Sequence, residues 1–203
     1  VLRDIPGIIL ACPSNGYDGA LMLRECVRLA REEQRVVVFL EPIARYMTRD
    51  LHEDGDGQWT FHYPSPGHKE FTPFGEPGIS GDGKDLAIIT YGNGTYLSRQ
   101  AARILEDKHN IQSRVVDLRW LTPLNIDAVV KAVKDCRKIL IVDECRKSGS
   151  LSEELFTGLH EAGINVPISR LTAKDCFIPL GRAYACTLPS VEQILDAAIT
   201  NQR

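Results

Sequence analysis

Two β-branched runs flanking one helical period place the strongest constraint on this chain. Val115–Leu118 and Ile139–Val142 enclose Ile126, Val129, Val130 and Val133, spaced i, i+3, i+4 and i+7. That pattern reads as a β-α-β unit, whose strands run parallel through a right-handed crossover. The whole stretch, Arg114–Ser150, organises the chain. Charge collects at the carboxyl ends of its two strands, Asp117–Thr122 and Asp143–Gly149, and in open α/β sheets that edge is where ligands and partners dock.

The rest of the chain extends this pattern in both directions. Gly7–Ala11 predicts a strand, Tyr17–Glu33 a helix with Ala20, Leu23, Val27 and Ala30 on one face, and Val36–Leu40 a strand buried on both sides. One β-α-β unit cannot bury both faces of its sheet, so residues 1–49 are expected to be the end of an incomplete domain. Residues 50–84 change texture: seven of the 16 glycines, four of the 11 prolines and three of the five histidines fall there without helical or alternating period. This predicts an extended linker, longer than the roughly 12–15 residues usual for a structureless loop. Trp59, Phe61, Tyr63, Phe71 and Phe74 are expected to hold it against a surface. Residues 85–203 then read as a self-contained β-α-β-α-β-α-β-loop-α domain, a three-layer α/β/α sandwich with a mostly parallel sheet. Ser150 with Glu153, and Ser190 with Gln193, predict capping boxes at the starts of its last two helices.

Charge and composition narrow the function classes. With 27 acidic and 24 basic side chains the net charge is −3, which gives no reason to expect nucleic acid or an anionic membrane as partner. No apolar run approaches the ~20 residues that span a bilayer. The six cysteines (12, 26, 136, 145, 176 and 186) form no CxxC pair, so neither a zinc site nor a redox dithiol is expected. Reduced thiols suit a cytoplasmic setting, or the mitochondrial matrix if the source is eukaryotic.

No catalytic constellation emerges from the residues. Gly92-Asn93-Gly94, between a strand and a helix, lacks the third glycine of a dinucleotide fingerprint, since Leu97 stands at that offset. Gly81-Asp82-Gly83 with Asn110 imitates a Mg²⁺-diphosphate motif, yet it precedes a strand instead of ending one; with Gly55-Asp56-Gly57 it reads as a turn. Asp143-Glu144 is followed by Cys145, Arg146 and Lys147, which predicts a solvated, mutually compensating cluster more than a catalytic pair. Cys145 has no histidine near it in sequence. His109 and His160 fall near helix ends, and His52, His62 and His68 lie in the linker, where His62 and His68 could cross the mouth of an active site.

Five stretches in order carry a resemblance that no single motif does: PGIILACPSNGYDGALMLRECV, VVVFLEP followed by RY, VVDLRWLTPLN, ILIVDECRKSGSLSEEL, and the tail from Val166 to Leu195. Together they resemble the C-terminal part of the β half of the E1 component of thiamine-diphosphate-dependent 2-oxoacid dehydrogenases, of pyruvate or branched-chain 2-oxoisovalerate type. The resemblance implies the end of a pyrimidine-binding domain over 1–49 and a transketolase-type C-terminal domain over 85–203. It implies thiamine diphosphate and Mg²⁺ in the holoenzyme. The implied partners are a second β half, an E1 α half and a lipoyl-bearing E2, this piece serving assembly and docking through Asp117–Arg119 and Asp143–Lys147. It places no catalytic, cofactor-binding or metal-binding residue on these 203 positions, because the activating glutamate and the β-side histidine lie upstream and the Mg²⁺-diphosphate motif belongs to the α half. The chain alone is therefore expected to be inactive. Some members hold a monovalent cation near the loop matching Ala30–Arg35; their Asp/Asn ligands read Glu32-Glu33-Gln34 here. A C-terminal piece of a transketolase or deoxyxylulose-phosphate synthase, with Arg119 and Arg146 for a sugar phosphate, and a non-catalytic dimerisation module are the alternatives.

Overall fold

The computed structural model describes residues 2–65 and 70–200. The N-terminal unit is built as its pattern implies: β1 (Ile8–Ala11), helix α1 (Gly16–Glu32) and β2 (Val36–Phe39), with β1 and β2 parallel. Asn15 caps α1, its side-chain oxygen accepting from the Asp18 N–H at 2.9 Å. The buried face of α1, however, is Asp18, Leu21, Met22, Glu25, Cys26 and Leu29. Leu23 and Val27, expected inside, are half exposed. The helix carries two apolar stripes, and the one interrupted by two acids is the one that packs. Those acids are matched: Glu25 receives Arg28 at 2.7 Å, and Asp18 receives Arg119 at 2.7 Å. Nor is β2 buried on both sides. It lies at the edge of its sheet, and Val36 is 62% exposed.

The linker region contributes a strand that its composition hides, β3 (Gly78–Ser80), and then the C-terminal domain begins. Its elements are β4 (Leu86–Thr90), α2 (Asn93–His109) and β5 (Ser113–Asp117), then β6 (Trp120–Thr122) and α3 (Ile126–Val133). There follow β7 (Ile139–Arg146), α4 (Leu151–Glu161), β8 (Ile168–Ala173) and α5 (Val191–Thr200). The main sheet has the order β3-β5-β4-β7-β8, parallel except for β3. Alternation along β4 sends Ala87 and Ile89 into a core with α3 and α4, and Leu86 and Ile88 into a second core with α2 and α5. The expected three-layer α/β/α architecture with a mostly parallel sheet is thus what forms.

The organising stretch feeds both sheets. After β5 the chain reverses through Arg119, whose φ of 58° is left-handed. It returns as β6, antiparallel to β1 with Ala11 opposite Trp120. This three-residue strand was not legible as one. Ser190 and Gln193 form a full reciprocal capping box, with contacts of 3.1 and 3.3 Å. At α4 the helix start is satisfied differently: Glu153 accepts from the Gly149 N–H, and Asp143 reaches across from β7 to accept from the Ser152 N–H, each at 2.9 Å.

Candidate functional site

In a doubly wound sheet of this order the ligand crevice opens where strand order reverses, here between the carboxyl ends of β4 and β7. The residues at that point are Tyr91, Asn93, Asp143 and Glu144. The Tyr91 hydroxyl donates to Asp143 at 2.6 Å. Asp143 is buried and also accepts from the Cys145 N–H at 2.9 Å. Burial, reinforced by the Asp143 charge and hydrogen bond, drives the Tyr91 phenol well above its ordinary range. Glu144 is half-buried and accepts from the Asn93 side chain; burial pushes its carboxyl up to about 7 against the pull of Asn93 and Arg45. The pair is therefore not the solvated cluster that its neighbours Arg146 and Lys147 imply. Arg146 turns instead to the Ser148 carbonyl at 2.9 Å.

The N-terminal unit closes this crevice. Cys12 packs against Gly92, its N–H donates to the Arg119 carbonyl at 2.7 Å, and burial pushes its thiol up to about 12. Arg45, from a short 3₁₀ turn after β2, lies over the Tyr96 ring at 4.2 Å. On the β5 side the Ser14 hydroxyl donates to buried Asp117 in a short contact. Burial pushes Asp117 up to about 6, opposed chiefly by the Ser14 hydrogen bond. At this edge Ser14 of the N-terminal unit thus reaches Asp117, and Arg45 lies close enough to attract Glu144, while Cys145–Gly149 stay largely exposed.

A cleft of about 740 Å³ opens at the carboxyl ends of β1 and β2. Its walls include Ser14 and Asn15 just before α1, Phe39 at the end of β2, Glu41, Arg45 and Tyr46 after it, and Trp59, Phe61 and Tyr63 from the linker. That volume is in the range of small-molecule sites. Residues 50–60 of the linker are anchored here. Asp56 accepts from four backbone N–H groups, those of Leu51, His52, Glu53 and Gln58, which hold its carboxyl well below the usual range despite burial. Trp59 packs edge-on against Tyr96, and Gln100 donates to the Leu51 carbonyl at 2.6 Å. Phe74 packs edge-on against Trp120, whereas Tyr63 and Phe71 remain exposed. His62 is exposed near the cleft, and His68 lies outside the described residues.

The remaining motifs are structural. Gly83 presses against the backbone of Gln112 and Ser113, so closely that a Cβ would stand 2.3 Å from a carbonyl carbon. The Asp82 carbonyl accepts from Arg114, and Asn110 is the left-handed cap of α2. Gly81–Gly83 and Asn110 therefore do not fit a Mg²⁺-diphosphate cradle. At Ala30–Arg35 the acids Glu32 and Glu33 engage Arg28. Among the described residues no group of three or more His, Cys, Asp or Glu is placed to hold a metal ion. His109 and His160 lie in the last turns of α2 and α4. Of the cysteines, Cys12, Cys26 and Cys136 are buried, and Cys145, Cys176 and Cys186 are exposed. No described helix is long and apolar enough to cross a membrane.

One further surface stands out between β8 and α5. Phe177 is fully exposed there and Leu180 is 95% exposed, with Ile178 and Tyr184 also open.

A doubly wound sheet with an antiparallel edge strand, closed at its switch point by a preceding β-α-β unit, defines a transketolase-type C-terminal domain. Residues 75–194 match the family described as Transketolase, C-terminal domain, and the chain belongs to it. Over 196 residues it is 29% identical to the pyruvate dehydrogenase E1 component subunit beta of Bacillus subtilis, covering 95% of this chain and 55% of that protein. It is 31% identical to the acetoin:2,6-dichlorophenolindophenol oxidoreductase subunit beta of Cupriavidus necator, covering 88% of this chain and 52% of the relative. A solved structure titled as a split gene transketolase, inactive beta4 tetramer, superposes with a TM-score of 0.70 over 98% of this chain and 58% of its own, at 22% identity. That likeness shows the fold. The chain spans about half the length of the curated relatives it matches.

Proposed function

We propose that this chain is the C-terminal portion of the β half of a thiamine-diphosphate-dependent 2-oxoacid dehydrogenase E1. Residues 1–49 are read as the end of a pyrimidine-binding domain, 50–84 as the connection, and 85–203 as the assembly domain. The observation that carries the reading is the unfinished apolar surface of the N-terminal unit. Leu23 and Val27 on α1, and Val36 on the edge strand β2, are open in a segment that aligns with longer E1 beta relatives. Residues preceding this stretch in a complete β half would cover them.

In the holoenzyme thiamine diphosphate with Mg²⁺ supplies the carbanion chemistry that decarboxylates a 2-oxo acid and passes the acyl group to a lipoyl-bearing E2. This chain's own contribution is positional: it seats the carboxyl end of β1 and the start of α1 through the Ser14–Asp117 and Asp18–Arg119 contacts. We read the exposed Phe177 and Leu180, together with the exposed Cys145–Lys147 from the predicted edge Asp143–Lys147, as the surface offered to a second β half, the α half or E2; Asp117 and Leu118 are buried. Glu144 is unsuited to docking because its carboxylate faces Asn93. The sugar-phosphate alternative loses its first arginine, since Arg119 is taken by Asp18. Assayed as a complete E1 with its α half, the protein should reduce an artificial electron acceptor at the expense of a 2-oxo acid. Turnover of a phosphorylated ketose with no turnover of any 2-oxo acid would reverse the assignment.

A further inference from the structure

We propose that the open edge of β2 is a self-pairing surface. In the 203-residue chain a second copy adds antiparallel to it, in a register centred on Val38 that sets Arg35 of each copy opposite Glu41 of the other. β2 is the outer strand of its sheet, and among the described residues it pairs with β1 alone. The Leu40 N–H donates to the Ala11 carbonyl at 2.8 Å. Alternation therefore turns the N–H and C=O groups of Val36, Val38 and Leu40 toward β1, and those of Val37 and Phe39 outward. Such an edge is a template for another strand unless charge, proline or a bulge blunts it. The strand Val36–Phe39 reads VVVF and keeps unbroken register with β1, so it has none of these devices.

Backbone and charge together select the register. An antiparallel partner must set outward-facing residues opposite outward-facing ones, which places the two-fold centre at Val37, Val38 or Phe39. A centre at Val37 puts Arg35 against Phe39, and a centre at Phe39 puts Glu41 against Val37. Only the centre at Val38 matches Arg35 with Glu41, and it does so on both sides of the axis. It also joins Val37 to Phe39 by reciprocal hydrogen bonds, and it sets Val36, 62% exposed, opposite Leu40, 36% exposed. Arg35 has no ion-pair partner among the described residues. Glu41 is exposed and accepts from the Tyr46 hydroxyl, which leaves lone pairs free for a guanidinium. Exposed Leu23 and Met47 line one cleft with Phe39 and Glu41, so apolar surface flanks the seam. In a complete β half other residues would compete for this edge; the pairing proposed for the 203-residue chain does not depend on that assignment.

Sedimentation equilibrium of the 203-residue chain over about 5 to 200 μM tests the pairing, with Arg35→Glu, Glu41→Arg and the double exchange alongside wild type. A monomer–dimer equilibrium is expected in wild type. Either single reversal sets like charges face to face twice across the axis and should raise the dissociation constant about tenfold or more. The double exchange restores both pairs and should return it to within about threefold of wild type. Glu41 is exposed, so Glu41→Arg decides the matter if Arg35→Glu does not fold. A chain that stays monomeric across the range overturns the proposal, and so does a dimer that neither reversal weakens or a double exchange no better than the singles.

Discussion

Replacing Glu144 by Gln should make this protein more stable in mildly alkaline solution, although it deletes a charge that Arg45 attracts. Burial lifts the Glu144 carboxyl from 4.5 to about 7 in the folded chain. A group whose folded pKa lies above its unfolded value favours folding while protonated and opposes it once ionised. The penalty is absent below the unfolded pKa, grows between pH 4.5 and about 7, and is complete above that. At about 1.36 kcal/mol per pKa unit, the full penalty is ~3 kcal/mol, and solvent at the open side of this half-buried group trims it to ~2 kcal/mol. Glutamine never ionises, and its amide can donate to Asn93 Oδ1, which is otherwise unpartnered. Urea denaturation of wild type and Glu144→Gln at pH 5 and pH 8.5 measures the difference. The variant should gain little at the lower pH and ~2 kcal/mol at the higher. An equal gain at both pH values, or a loss at pH 8.5, would refute the reasoning, since either would place the effect in packing and not in ionisation.

Two other substitutions probe the junctions. Arg119→Ala leaves Asp18 buried without its ion pair and should cost about 3 kcal/mol in chemical denaturation. Adding Asp18→Asn removes the stranded charge and should recover most of that loss. Gly83→Ala would drive a Cβ to 2.4 Å from the Ser113 nitrogen. Because that neighbour is backbone, the loss should reach ~3 kcal/mol, seen as a fall in Tm by calorimetry; a neutral result would mean the 81–84 turn is not packed on β5.

How much of this could be read from the residues follows from the range of each interaction. The apolar runs of β4 and β7 and the box at Ser190–Gln193 are local patterns, and they fold as written. The strands β3 and β6 are three residues each and carry no alternation; Trp120–Thr122 pairs only because β1 is brought alongside it. Helix α1 showed two apolar stripes, and hydropathy alone preferred the one without Asp18 and Glu25. The choice depended on Arg28 and Arg119 neutralising those acids, and Arg119 lies 101 positions away. The junction was hidden for the same reason. Ser14 meets Asp117 across 103 positions, and the charges after Glu144 masked the fact that its own side chain turns inward to Asn93. The architecture was therefore legible, and the chemistry of the strand ends was not.

The central claim is that these residues shape and assemble an E1 β half whose cofactor machinery lies in other segments. Calorimetric titration of thiamine diphosphate with Mg²⁺ into the 203-residue chain, and in parallel into the complete E1, tests it most directly. The account expects saturable binding to the complete enzyme and none to the chain alone. Tight, stoichiometric binding to the isolated chain would contradict it.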